Sequence, residues 1–451
     1  MISAFTNAFK IPELRKRIFF TLVIVFISRL GAFIPVPGVD PAVLENLFRN
    51  MQEKEGGSFL ALMNIFSGGA LEHCGIFCLT VMPYISASII FQLLVAVMPQ
   101  LTKLSREEGG RQKITQYTRY LTIAIAIFQS AMFARTFENP RSLPMFQHLE
   151  GVLVPNPGLM FEFTTVVTLT GGTIFLMWLG EQITERGIGQ GISMLIATNI
   201  LARFPNAVGI AYQIFNPSVG ESKYNIIHAA LFLLMFLGVT ASVIVVTQMQ
   251  RKISVQYAQR MVGRKMYGGG QTYMPLRVNY SGVMPIIFAQ ALLMFPQTIG
   301  NFINVRWIQD FVRSLTEGEW VHLTFYSILI FAFSFFWVAT VFNPIQIADD
   351  LKKHGGYVPG VRPGKPTADF LEYTMVRITF AGAVFLVFIA GIPLVLSRSM
   401  QLNYLVASFF GGTSLLIVVG VLLDTLRQIE THLLTRNYEG FLKKGRMRGR
   451  L

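Results

Sequence analysis

The residues able to do chemistry are few, and they do not converge. Six histidines (His73, His148, His228, His322, His354 and His432) are scattered along the chain, without the spacing of metal ligands. Gly360-Val-Arg-Pro-Gly364-Lys365-Pro366 superficially resembles a phosphate-binding loop. It has three residues where that loop has four, and Pro366 stands where Ser or Thr would hold magnesium, so it reads as a rigid surface turn. Cys74 and Cys78 form an i,i+4 pair on one predicted helix face, best read as inert buried thiols. Glu162, Glu372 and Asp424 lie near the ends of apolar runs, whose middles contain no Asp or Glu. Carriers driven by protons place ionisable groups at the membrane midplane, so this pattern counts against them. The sequence predicts no enzyme, no cofactor and no metal.

The elements that carry these residues are membrane spans. Of 451 residues, 52% are hydrophobic and only 14% charged, with a mean hydropathy of +0.51. So few charges cannot cover a water-soluble surface. The net charge of +14 sits in the gaps between apolar runs, where it reports orientation and contact with anionic lipid or partners. Two cysteines make no disulfide framework. The first apolar stretch leads into Pro35-Val36-Pro37-Gly38, not a small-residue cleavage site, and is expected to remain as a span.

A span needs roughly 20 mostly apolar residues. Ten runs qualify: about 18–34, 75–98, 118–134, 160–180, 188–205, 225–248, 282–300, 321–342, 371–397 and 403–424, the fifth being the weakest because it contains Asn199. The piece 59–66, ending in Ser67-Gly68-Gly69, is too short to cross and reads as a re-entrant half-helix beside a cavity. With ten spans both termini share a side. That side receives 27 of the Lys and Arg residues and the other side 9, which predicts cytoplasmic termini. The organisation is then a cytoplasmic N-terminus (1–17), a first half (18–205), an external hinge loop (206–224) and a second half (225–424). The second half carries cytoplasmic loops 249–281 and 343–370, and a basic tail follows at 425–451. If the halves are structural repeats, five spans in each force inverted topology, with the working site between them.

Three polar or glycine-rich segments stand out: Asn64 to Glu72 with Met82 to Ile90, Glu185 to Ser193, and Arg251 to Pro285. At these residues the chain resembles the SecY/Sec61 alpha family of protein-conducting channels. The matching stretches are Arg29-Leu-Gly-Ala-Phe-Ile-Pro-Val-Pro-Gly-Val-Asp40, Phe66-Ser-Gly-Gly-Ala-Leu71, Met82-Pro-Tyr-Ile-Ser-Ala-Ser-Ile-Ile90 and Arg111-Gln-Lys-Ile-Thr-Gln-Tyr-Thr-Arg-Tyr120. They continue with Glu185-Arg-Gly-Ile-Gly-Gln-Gly-Ile-Ser193, Pro275-Leu-Arg-Val-Asn279, Val358-Pro-Gly-Val-Arg-Pro-Gly364 and Gly411-Gly-Thr-Ser-Leu-Leu-Ile417, in order over nearly the whole chain.

The resemblance implies an all-α polytopic fold, two inverted five-helix halves around a pore that opens sideways to lipid. It places a plug at 59–72, including Asn64, Phe66, Ser67, Gly68, Gly69 and Leu71. It places a pore ring on Ile85, Ile89, Ile192, Ile196, Ile287 and Ile417. An apolar iris of this kind dewets when empty and grips no passing side chain. A lateral gate would lie between spans two and three on one side and seven and eight on the other. Ser86, Ser88, Gln92 and Gln290 are its candidate polar contacts, each worth about 0.6–2 kcal/mol in a membrane. Work must then come from outside. Arg251, Lys252, Arg260, Arg264, Lys265 and Arg362 are the expected contacts for the SecA motor ATPase or the ribosome. Further implied partners are the small membrane subunits SecE and SecG, nascent polypeptides bearing signal sequences, and anionic lipids, in a bacterial inner membrane. A secondary transporter of a small solute, built from inverted repeats, is the competing reading.

Overall fold

The computed structural model describes residues 11–53, 59–140, 152–215, 226–257, 260–262, 265–267, 271–280, 282–300, 311, 314–315, 320–399 and 404–445. The fold is mostly helical. Among the described residues, six helical stretches are long and apolar enough to cross a membrane: Gly110–Glu138, Leu159–Arg186, Gly191–Phe215, Ile227–Gln248, Trp320–Lys353 and Lys365–Ile392. Large apolar side chains such as Leu231, Leu234, Phe163 and Phe388 point outward from them, as lipid-facing surfaces require.

The first half opens with α1 (Pro12–Ala32), whose apolar length is punctuated by Arg15, Lys16, Arg17 and Arg29. An amphipathic helix, α2 (Pro41–Glu53), follows where the hydropathy pattern gives no sign of one, and buries Leu44 and Phe48. The short α3 (Phe59–Ser67) ends at a run of turns reaching residue 81. Then come α4 (Met82–Val97), α5 (Pro99–Arg106), α6 (Gly110–Glu138), α7 (Leu159–Arg186), α8 (Gly191–Ala202) and α9 (Phe204–Phe215). Proline in the first turn starts α1, α4 and α5, where its missing N–H costs no hydrogen bond.

Several boundaries differ from the hydropathy reading. The second run, drawn as 75–98, becomes helix only at Met82. Its apolar start folds back beside the end of α1: the Val36 N–H donates to the Cys74 carbonyl (2.8 Å) and the Ile76 N–H to the Ile34 carbonyl (2.9 Å). Cys74 (φ 48°) and Thr80 (φ 57°) take left-handed backbone conformations that no α-helix includes. Cys74 and Cys78 are both buried, but in these turns and not on a helix face. The plug segment 59–72 is helical only to Ser67. Residues 206–215, read as loop, continue the fifth span as α9, and α4 and α5 meet at a bend of 104°.

The second half has α10 (Ile226–Gln248), α11 (Met284–Gly300), α12 (Trp320–Val341), α13 (Pro344–Lys353), α14 (Lys365–Ser399), α15 (Tyr404–Gly411) and α16 (Thr413–Gly445). The tenth run is broken at Gly412 into α15 and α16, and α16 continues as helix to Gly445, well into the predicted tail.

The all-α expectation also needs correcting, because the loop 249–281 folds as strands. They are β1 (Gln250–Tyr257), β2 (Arg260–Val262), β3 (Lys265–Tyr267) and β4 (Gln271–Arg277). β1 pairs antiparallel with β4 from Gln250↔Arg277 to Gln256↔Gln271. Its end also pairs with β5 (Gly356–Tyr357), in register Gln256↔Tyr357. A three-stranded sheet therefore joins the loops 249–281 and 343–370. Ile253 and Leu276 turn inward against Val338, Phe342, Leu371 and Met375, anchoring the sheet to α12 and α14.

Candidate functional site

The largest apolar cluster gathers helices from before and after 216–225. Five of the six predicted ring isoleucines are buried members of it: Ile85, Ile89, Ile196, Ile287 and Ile417, none more than 6% exposed. The sixth, Ile192, packs against the same cluster. α4 presents Ile85 and Ile89 one turn apart, as α8 presents Ile192 and Ile196; α11 and α16 contribute one each. The isoleucines bring β-branched bulk and no polar atom, so nothing in their side chains competes for water or ions.

A cavity of about 300 Å³ opens onto these side chains. Ile85, Ile192, Ile196 and Ile287 line it together with Ser88, Gln92 and Gln190. The Arg119–Glu181 ion pair (2.8 Å) stands in its wall. A second cavity, about 520 Å³, shares Gln190, Ser193, Met284 and Trp337 with the first and adds Arg277, Asp424 and Arg427. The two cavities therefore adjoin, and four of the isoleucines line the smaller one. It is framed by the turn from Glu185 to Ser193, where Thr21 Oγ1 accepts from the Ile188 N–H (3.0 Å) and Gln428 Oε1 from the Gly189 N–H (2.9 Å).

The plug candidate packs into the same apolar cluster, and none of its described residues lines either cavity. Along α8 the smaller cavity is lined by Ile192, Ser193 and Ile196, and Asn199, further along the helix, hydrogen-bonds the plug candidate. α3 sets Ile65 and Phe66 into the apolar cluster, and the turn after it sets Leu71 into another. Its polar atoms are tied at several points. Asn199 Nδ2 donates to the Phe66 carbonyl (3.2 Å), and Arg29 Nη2 to the Gly68 carbonyl (2.8 Å). Arg29 Nη1 also donates to Asn199 Oδ1 (3.3 Å). Glu72 forms a part-buried ion pair with Arg203, accepts from Asn64 Nδ2 (3.0 Å), and donates its own N–H to Asn64 Oδ1 (3.2 Å). Ser67 Oγ donates to the Asn64 carbonyl (3.1 Å) and accepts from the Leu71 N–H (3.2 Å).

Gly68 (φ +63°) and Gly69 (φ +93°) are the residues this geometry requires. A Cβ at Gly68 would meet the Arg29 guanidinium and come within 2.9 Å of Asn199 Cα; one at Gly69 would come within 2.9 Å of Arg203 Nη2. Burial pushes the Glu72 carboxyl up, but the Arg203 charge and the hydrogen bonds from Arg203 and Asn64 outweigh it and hold it below the usual carboxylate range.

Reading the sequence missed Arg29, Glu72, Asn199 and Arg203 as one unit. The signal was present in Arg29 and Asn199, polar residues inside apolar runs, which mark function or specific pairing in a membrane.

Of the gate candidates, Gln92 Nε2 donates to Ser88 Oγ (3.1 Å) along α4, not across to another helix. Ser86 is half-buried and Gln290 buried. α4 packs on α6 and on α11, and α11 on α12. Edge-on contacts of Phe288 with Phe333 and Trp337 join α11 to α12.

Of the basic candidates, Arg251 and Lys252 are exposed on β1, and Arg362 is exposed in the turn before α14. Arg260 and Lys265 lie on β2 and β3, whereas Arg264 falls outside the described residues. Tyr357 donates to Gln256 Oε1 (2.9 Å), so the two basic loops form a single surface. The phosphate-loop look-alike is a turn: Gly360 and Gly364 have positive φ, and Thr367 Oγ1 donates to the Arg362 carbonyl (2.8 Å).

Comparison with known proteins adds the following. A family model described as SecY matches residues 75–426. The protein translocase subunit SecY of Thermotoga maritima is 42% identical over 452 residues, covering 100% of each chain. That of Chlamydia muridarum is 42% identical over 457 residues, covering 98% of this chain and 99% of the relative. That of Escherichia coli is 43% identical over 442 residues, covering 97% and 96%. Among solved structures, a protein conducting channel superposes with a TM-score of 0.59 at 17% identity, covering 94% of this chain and 96% of that one. Sec61 from a canine ribosome–channel complex superposes at 0.56 and 16% identity, covering 94% and 96%. At those identities the likeness is one of fold.

Proposed function

Because the chain belongs to the SecY family, we propose that it is the channel subunit of a protein translocase, a multi-pass membrane protein that passes unfolded secretory polypeptides across the membrane and releases hydrophobic segments sideways into the bilayer. The observation that carries this reading is the meeting of six isoleucines from four helices in one apolar cluster, into which a short, tied-in helix also packs and onto which a cavity opens. The matched relatives are translocase subunits, so the reading as a small-solute transporter is set aside.

In this proposal ten spans form two inverted halves, and the basic surface with both termini faces the cytoplasm of a bacterial inner membrane. The polar cavities admit the chain. The isoleucine ring closes around it without binding it, and Ile65 and Phe66 of the plug fill the ring when no chain is present. A hydrophobic segment reaching the seam between α4 and α11 gains free energy by entering lipid, at about 25 cal/mol per Å² of apolar surface. A polar segment stays on the aqueous path.

The chain supplies no energy in this scheme. Arg251, Lys252, Arg260, Arg264, Lys265 and Arg362 offer forked or point charges to motor carboxylates or ribosomal phosphates. Contact with ribosomal RNA would read backbone charge and not base sequence. SecA, the ribosome, SecE, SecG and anionic lipid are the proposed partners. The experiment is reconstitution with SecE and SecG in vesicles: a secretory precursor should become protease-protected when SecA and ATP are added. Absence of protection with a demonstrably active motor would overturn the reading.

A further inference from the structure

We propose that Arg29, Asn199 and Arg203 are positioning residues that latch the plug through two separate attachments, and that this latch sets how strong a signal must be to open the channel. The inference rests on the channel reading above and adds to it which residues determine its stringency.

The first attachment is at the C-terminal end of α3. The last carbonyls of a helix have no partner inside it and carry partial negative charge. Here Asn199 and Arg29 take up the carbonyls of Phe66 and Gly68, and Arg29 is itself fixed by Asn199. The second attachment is the Glu72–Arg203 pair, with side chains only 18% and 11% exposed. Apolar contact between Ile65, Phe66 and the ring is non-directional, and would let the plug slide. Hydrogen bonds and a charge pair fix its register.

All the latch residues precede 216, on α1, α3, α8 and their turns, whereas the apolar cluster that seats Ile65 and Phe66 also includes Ile287 and Ile417 from beyond 225. Parting α4 from α11 would therefore strip away part of the apolar seat while leaving both polar attachments in place. The channel so built opens in two stages, seam first and plug second. Taking Glu72 away would leave Arg203 buried without its counter-charge, and a buried charge without a partner is strongly disfavoured.

The test uses the full complex in vesicles, reading resting ion leak and export of a precursor with a weakened signal. Glu72→Gln and Arg203→Gln should each raise the leak by roughly tenfold and admit the weakened precursor. Combining them should add little to either alone, and the charge exchange Glu72→Arg with Arg203→Glu should restore most of the seal. Asn199→Ala, which alters no charge, should give a smaller increase through the first attachment. Assembly is checked by recovery of the intact complex, and if Arg203→Gln fails to assemble, Arg203→Lys and Asn199→Ala carry the test. Single variants as tight as the unaltered channel, or a charge exchange as leaky as the single variants, would overturn the latch. An unaltered complex that exports nothing would instead overturn the channel reading.

Discussion

Arg29, near the end of α1, donates to the carbonyl oxygen of Gly68 at 2.8 Å. An arginine in a largely apolar stretch of helix thus has a backbone partner in the turn that follows α3. The contact depends on Gly68 having no side chain, since a Cβ there would occupy the space of the guanidinium.

Gly68→Ala should therefore loosen the plug in two ways. A left-handed residue with a side chain costs about 1–2 kcal/mol, and the methyl group displaces Arg29. Vesicles carrying this variant should leak ions faster at rest, while an alanine at Gly171, whose Cβ would meet nothing within 4 Å, should leave the leak unchanged.

Acid should release the same segment only at low pH. The carboxyl of Glu72 lies in the turns outside the spanning helices. It faces Arg203 and Asn64, with His73 next in sequence and Glu45 bonded to His73 at 2.6 Å. Its pKa is held below the unfolded value of 4.5, so its contribution is complete above that value and is lost as pH falls through the lowered one. Resting leak should stay flat from neutral pH to about 5 and rise only below the ordinary carboxylate range. In Glu72→Gln this acid-dependent rise should disappear.

Ile417→Asn puts a polar amide among the buried isoleucines, where Ile417 itself is 0% exposed. An unsatisfied amide in apolar surroundings costs about 1–3 kcal/mol and attracts water. The variant should conduct more ions and export weakly marked substrates. Unchanged conductance and unchanged stringency would remove Ile417 from the ring.

Arg362→Glu reverses an exposed charge on the surface formed by the sheet and the turn before α14. Motor- or ribosome-driven transport should fall by about tenfold or more while the complex still assembles, because a rim charge acts chiefly on encounter with a partner. Normal transport by this variant would exclude Arg362 from the docking surface.

What could be read from the residues alone was what depends on local composition. Apolar runs near 118–134, 160–180, 225–248 and 371–397 became helices because a span must satisfy its own backbone. The isoleucines were assigned to a ring through a motif resemblance; spacing by itself does not separate them from other apolar residues. Three kinds of feature were not legible. Hydropathy averages over residues 74–81, where left-handed Cys74 and Thr80 keep an apolar stretch out of helix. The pairing of Gln256 with Tyr357 joins residues about a hundred positions apart, and no local pattern announces it. The partner of Arg203 proved to be Glu72, and such distant pairing appears only once the chain is folded.

The central claim is that a polypeptide in transit passes through the isoleucine ring. The most direct measurement places a photo-crosslinking residue at Ile85 or Ile287 and stalls a translocating chain with a folded domain at its end. The account predicts crosslinks from both positions to the stalled segment, dependent on the motor and lost when the chain is released. A stalled, protease-protected chain that crosslinks to neither position would contradict it.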